Sequence, residues 1–259
     1  MSIIKGGAAG FKSVAFYSEN FSSKAIRNKD GTIIIDISKR KIASKFEELV
    51  SVVPFLRGLY LFARPIIVMW KIYLMVFLPL FIFLKSVSYD SEKNSEGSSF
   101  LSVSIIVEWI QNHSLFLIAI ILVIFTIVIK LSNLGKYHGA EHMTDTSYNR
   151  FSSLALTDVV KQSRIHKRCG THLAVFILIT YFISSFFISD IFVLIILSFC
   201  LGFEIFLIQS KFMTPFYWVG GLLQYLFFTS KPSIEHLEVA IASYKALLEA
   251  EKNDNMSLL

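Results

Sequence analysis

Two histidines four residues apart, with a carboxylate beside the second, form the chemically most specific stretch of this chain: His138-Gly139-Ala140-Glu141-His142. On a helix, positions i and i+4 lie one above the other, so both imidazoles can reach a single metal ion while Glu141 stands next to them. Imidazole pairs suit zinc, and a neighbouring carboxylate is placed to act as general base on a water. The same order of letters, H-x-x-E-H, marks the inverted zinc-peptidase motif. A second group follows in His166-Lys167-Arg168-Cys169-Gly170-Thr171-His172. Here His166 and Cys169 can add ligands from a second helix or turn. A closed set of four would make the metal structural, whereas three ligands with an open position would make it catalytic; the spacing is compatible with both. His172 opens an apolar run and reads as an interfacial residue, and Lys167 and Arg168 read as contacts to lipid headgroups.

The elements that must position these residues are set by composition. The chain has 259 residues, 54% of them apolar and 17% charged, with 38 Phe, Tyr and Trp. Soluble domains carry about a quarter charged residues, so a soluble enzyme, a coiled coil and a disordered chain are all disfavoured. Two cysteines cannot build a disulfide framework. The apolar residues gather into blocks, and four are long enough to approach the ~20 residues of a membrane span: 66–84, 114–131, 173–189 and 191–208. Lys71 interrupts the first. The expected fold is therefore an all-α integral membrane protein of about four transmembrane helices, with interfacial or re-entrant helices and a small N-terminal β-hairpin region.

Basic residues suggest which side is which. Residues 1–58 hold ten Lys or Arg against five acids, 130–172 seven against three, and 85–113 two against four. Lys and Arg accumulate on the cytoplasmic side, which predicts a multi-pass protein of the cell membrane with both termini and the 130–172 segment in the cytoplasm. The lipid bilayer is the expected partner, and the net charge of +6 requires no nucleic acid. No signal peptide is expected, because the first 50 residues lack a long apolar run.

The predicted organisation has four parts. Residues 1–58 are a cytoplasmic region whose hairpin turns at Asn28-Lys29-Asp30-Gly31. Residues 59–211 are the transmembrane domain, including the His-rich segment 130–172. Residues 212–232 are a re-entrant or interfacial segment broken near Gly220 and Gly221, and 233–259 an amphipathic helix and tail with Leu237, Ala240, Ile241, Tyr244 and Leu248 on its buried stripe.

Tyr137-His138-Gly139-Ala140-Glu141-His142, followed by Ser163-Arg164-Ile165-His166-Lys167-Arg168-Cys169-Gly170-Thr171, resembles the YqhQ-like family of bacterial multi-pass membrane proteins. Gly6-Gly7, Pro54-Phe55-Leu56-Arg57-Gly58, Phe203-Glu204, Gly221-Leu222, Pro232 and Leu237-Glu238-Val239-Ala240-Ile241 extend the resemblance in the family's order over nearly the whole chain. The family is regarded as metal-dependent enzymes of undetermined reaction. The resemblance implies a site of His138, Glu141, His142, His166 and Cys169. This chain departs from the pattern at Ala8, where the family has Gln, and at Lys12, Asn149 and Lys231, where it has acids. The resemblance is thus to a divergent member.

Glu204 lies well inside the fourth apolar block, where an ionised carboxylate needs a partner; Lys71 in the first block is the expected one, or the metal cluster if the span is tilted, an alternative that the depth of Glu204 disfavours. Two functional readings follow. In the first, a membrane zinc enzyme, possible as a hydrolase at the cytoplasmic face, uses His138 and His142 with His166 or Cys169 as ligands and Glu141 as general base, on a peptide or lipid-linked substrate. In the second, a non-catalytic membrane protein binds another membrane protein or component, and the His/Cys cluster is a structural metal site.

Overall fold

A computed structural model of the chain describes residues 4–40, 44–93, 109, 113–208 and 210–257. Four N-terminal strands, β1 (Gly6–Ala9), β2 (Ser13–Tyr17), β3 (Phe21–Arg27) and β4 (Ile33–Lys39), form an antiparallel meander in chain order. Alternation builds it: Val14 and Phe16 of β2 are fully buried, and Ser13, Ala15 and Tyr17 between them are not. Ala25 and Ser23 of β3 pair with Val14 and Phe16, setting small residues against large ones on the buried face. At Asn28–Gly31 the chain reverses between β3 and β4. Asp30 accepts hydrogen bonds from the Thr32 amide at 3.0 Å and its hydroxyl at 2.7 Å, and Gly31 takes φ 88°, which a side chain would resist.

The helices, in chain order, are α1 (Lys45–Val52), α2 (Leu56–Val68), α3 (Trp70–Lys93), α4 (Ser114–Leu131), α5 (Asn133–Phe151), α6 (Leu156–Val159), α7 (Gly170–Ser184), α8 (Ile191–Ile208), α9 (Thr214–Leu223) and α10 (Ile234–Ser257). A 3₁₀ turn (Lys211–Met213) precedes α9, and a π-helical turn (Gln224–Phe228) follows it.

α10 lies across the buried face of the sheet. Its Leu237, Ala240, Tyr244 and Leu247 recur at helical spacing and are all buried, and the Tyr244 ring meets Phe16 edge-on at 4.7 Å. α5 packs on α10 and β1, and its Tyr137, Ala140 and Met143 complete this core. The sheet, α5 and α10 thus make a conventional α+β layer with its own interior.

The remaining helices are different in kind. α7 and α8 form a hairpin, where the Asp190 carboxylate accepts from the Val193 amide at 2.9 Å and caps α8. Between them, the Thr180 hydroxyl donates to the Ser198 carbonyl at 3.0 Å. The outer surface of this part is apolar: Phe187 between α7 and α8, Phe192 on α8, Phe212 in the 3₁₀ turn and Trp218 on α9 are 75–87% exposed.

The expected all-α, four-span architecture is overturned. The expected hairpin is β3–β4, turning at Asn28–Gly31, but it is half of a four-stranded sheet, because β2 continues the period-2 alternation upstream and β1 pairs with it. Among the described residues, one helix, Ile191–Ile208, is long and apolar enough to cross a membrane, or two if α2 and the start of α3 are taken together. Those two meet at a 67° bend where Met69 leaves helical geometry, so the block 66–84 is not a straight helix. α7 has only 15 residues, about 22 Å. Several side chains of α4 lie outside the described residues, and it does not enter that count.

Glu204 is also partnered differently from expectation. Its carboxylate takes the Arg57 guanidinium in two contacts, Nε at 2.8 Å and the second through NH2, and the Phe55 amide at 3.0 Å. Lys71 instead stands 5.9 Å from the Trp70 ring centroid. Arg57 sits near the start of α2, which packs on α8, whereas Lys71 lies beyond the bend.

Candidate metal centre

The centre is built on α5, a helix whose sequence is not a strong helix former. Gly135, Gly139 and three threonine or serine residues work against it, and tertiary packing holds it instead. Ser132 ends α4 and caps α5, accepting from the Leu134 amide at 3.2 Å. One face of α5 enters the core through Tyr137, Ala140 and Met143. Another carries His138, Glu141, His142 and Asp145 toward a cavity of about 170 Å³.

Both imidazoles are oriented through Nδ1, 3.0 Å from the Phe228 carbonyl in His138 and 2.7 Å from the Arg164 carbonyl in His142. A carbonyl can only accept, so each Nδ1 carries the proton and each Nε2 keeps a free lone pair. This is how metal-binding histidines are commonly held. Cys169, at the N-cap of α7, brings its Sγ to 3.5 Å from His138 Nε2 and 3.5 Å from the Thr171 hydroxyl. The donor atoms of His138, His142 and Cys169 all lie within 4.8 Å of one another. Donors around tetrahedral zinc are about 3.4–3.6 Å apart at ordinary bond lengths. The His138–Cys169 edge already matches, and about 1 Å of side-chain adjustment closes the widest edge. The donor set therefore fits zinc.

His166 does not join these three. Its Nε2 lies 3.1 Å from Asp145 Oδ2, and its ring is 5.5 Å from that of His142. Asp145 also accepts from the Asn149 amide at 2.8 Å and lies within 3.5 Å of Arg168. Burial opposes the Asp145 charge, but the bond to His166 and the charges of His166 and Arg168 outweigh it, holding the carboxyl below its ordinary value.

Glu141 Oε2 is 3.5 Å from His142 Nε2, and burial raises its pKa to about 7. Burial likewise pushes His142 down and keeps it neutral, the form that binds metal. For Cys169, burial disfavours the thiolate, but the neighbouring His142 imidazole and the Thr171 amide and hydroxyl outweigh it and lower the thiol pKa. Strand β1 runs over Glu141, so closely that a Cβ on Gly7 would collide with the carboxyl group. Gly7 is needed there for the close approach.

Three contributors escaped the sequence reading. Asp145 continues the His138, Glu141, His142 face at the next i+3 and i+4 positions, and that spacing is a visible signal. Gln224, fully buried, accepts from the His166 amide at 2.9 Å. It donates to the His166 carbonyl at 3.0 Å and to His172 Nδ1 at 2.6 Å, fixing the loop that carries Cys169. Its signal is an amide inside the apolar stretch 212–228. The cover supplied by β1 has no local signal. Of the departures from the family pattern, Ala8 lines the cavity and Asn149 bonds Asp145, whereas Lys12 lies on a separate cavity.

Fold and site together define an α+β layer that carries a buried His–Cys–carboxylate cluster beside a group of apolar helices. The chain belongs to the family described as "Protein of unknown function (DUF1385)", whose family model matches residues 9–250. It is also similar to the uncharacterized protein YqhQ of Bacillus subtilis (strain 168), with 30% identity over 132 residues. That match takes in 45% of this chain and 41% of the relative's length, consistent with a divergent YqhQ-like member. No solved structure matches the chain.

Proposed function

We propose that the protein is a zinc-dependent hydrolase at the cytoplasmic face of a membrane, acting on a peptide or a lipid-linked group. One observation carries this: His138, His142 and Cys169 converge while Asp145 keeps His166 away, leaving a position toward Glu141 and the cavity. Three ligands with an open position are the pattern of catalytic zinc, and four of structural zinc. When bound, the ion would polarise a substrate carbonyl or phosphoryl oxygen and make water more acidic. Glu141 takes a proton from water in the cavity and returns it to the leaving group. His166 and Arg168, both tethered by Asp145, put N–H donors on the cavity wall, where they can hold a substrate oxygen. The His138 and His142 rings are fixed by their carbonyl partners, so the ligands are oriented in advance.

The membrane part of the proposal is supported by the exposed aromatic residues of the apolar helices and by the basic excess in 130–172. Among the described residues, Ile191–Ile208 is long and apolar enough to cross a bilayer.

Two measurements on detergent-purified protein test this. Prepared without chelator, it should contain about one zinc per chain; absence of any stoichiometric transition metal overturns the proposal. Calorimetry with acetohydroxamate, which needs an open coordination position, should show binding to the zinc-loaded protein and none after chelation. Zinc without hydroxamate binding would instead assign the cluster a structural role in a non-catalytic membrane protein.

A further inference from the structure

A second cavity, of about 360 Å³, opens on a different face of α5 from the His–Cys cluster. It lies among the β2–β3 end of the sheet, the first turn of α5 and the start of α10. Lys12, Arg27, Lys29 and Lys136 all line it. Arg27 is partly neutralised, since its NH2 lies 2.5 Å from Glu238 and 3.3 Å from the Glu235 carbonyl, and Glu235 also reaches the wall. The three lysines form no ion pair among the described residues, so the cavity keeps an excess of positive charge.

Two buried side chains complete it. Tyr137 is 5% exposed and His236 8%, their rings 4.5 Å apart. The Ser233 hydroxyl lies 2.5 Å from His236 Nδ1; with Nδ1 accepting, Nε2 carries the proton. Neither that Nε2 nor the Tyr137 hydroxyl has a hydrogen-bond partner among the described residues, and both residues line the cavity. Both atoms are open to the cavity, so an occupant can accept from them. Here cations and neutral donors converge, Glu235 being the one carboxylate among the lining residues, and the N-terminal end of α10 adds its positive partial charge. The matching ligand is a compact anion with several acceptor oxygens.

We propose that this cavity binds a phosphate group, with Lys12 and Lys136 supplying charge and Tyr137 and His236 supplying directed hydrogen bonds. Lys136 follows the apolar helix α4 by five residues, so the phosphate can come from a lipid headgroup as readily as from solution. The site stands independently of the zinc proposal, because none of its residues belongs to the His–Cys cluster.

The test is calorimetry on the full chain in non-ionic detergent, with inorganic phosphate in one arm and soluble dihexanoyl phosphatidic acid in the other. Binding is expected in at least one arm, weakened about tenfold or more by Lys12→Glu combined with Lys136→Glu, and a few-fold by Tyr137→Phe. Binding in both arms shows that the phosphate group suffices. Binding confined to the lipid arm, but weakened by the charge reversals, assigns a headgroup. Lys12 is exposed and Lys136 half-buried, so the fold should tolerate the double variant, and its thermal midpoint checks this; Tyr137→Phe keeps the proposal testable if it does not. No binding in either arm, or binding that neither the charge reversals nor Tyr137→Phe changes, overturns the proposal.

Discussion

Asp145 holds His166 through an Oδ2–Nε2 contact of 3.1 Å, and this pairing decides which histidines can share a metal. With its Nε2 engaged, His166 is a wall of the cavity, while Cys169 stands 3.5 Å from His138.

The first prediction separates ligands from their neighbour. His166→Ala should keep about one zinc per chain, while His138→Ala, His142→Ala and Cys169→Ser should each lose most of it. Metal analysis after gel filtration reads this directly, and loss of zinc in His166→Ala would move His166 into the ligand set.

Gln224 should act on the metal without touching it. Gln224→Ala removes two hydrogen bonds from the loop that carries Cys169 and a third from His172 in the first turn of α7. Zinc affinity should fall roughly 10–100-fold, the range for residues that orient ligands. Gln224→Glu keeps the acceptor for the His166 amide but loses both donors, so it should fall between. Competition titration against a zinc indicator gives the ranking.

A methyl group on Gly7 should disturb Glu141. Gly7→Ala is expected to retain zinc, weaken hydroxamate binding and lower stability by about 1–3 kcal/mol, as overpacking does. Gly6→Ala is the control, because a Cβ there meets nothing within 4 Å. Thermal unfolding and calorimetry on the two variants should differ; equal behaviour would place β1 away from Glu141.

His236 should make stability depend on pH. Burial first, then the charges of Lys136 and Arg27, hold its pKa below the ordinary 6.5, with Glu235 opposing. Tyr137, against its ring, stays neutral over this range. A depressed histidine pKa means that the unfolded chain binds the proton more readily than the folded one. The contribution is therefore intact above about pH 6.5 and is lost as pH falls through that value. The wild type should lose stability more steeply than His236→Gln between about pH 7.5 and 5.5. Thermal midpoints across that interval measure it, and identical slopes would remove His236 from the account.

Sequence and structure part company at particular elements. The grouping of His138, Glu141 and His142 is local, since one helical turn brings them together wherever α5 sits. The apolar content of 191–208 is equally local. The block 66–84 reads as one apolar run, yet Met69 breaks it into helices that meet at 67°. Hydropathy counts residues and is blind to such a bend. Strand β1 shows no period because Gly6-Gly7-Ala8-Ala9 carries nothing larger than a methyl group, and its partner strand β2 supplies the order.

By itself the sequence determined the family, the apolar blocks and the helical spacing of two imidazoles and a carboxylate, because each depends on residues near one another in the chain. Tertiary structure alone decided that Cys169 rather than His166 meets His138, that Arg57 rather than Lys71 meets Glu204, and that Gly7 covers Glu141. Those pairings join residues 31, 147 and 134 positions apart, and only the packing of whole elements sets which of several chemically suitable partners comes within reach.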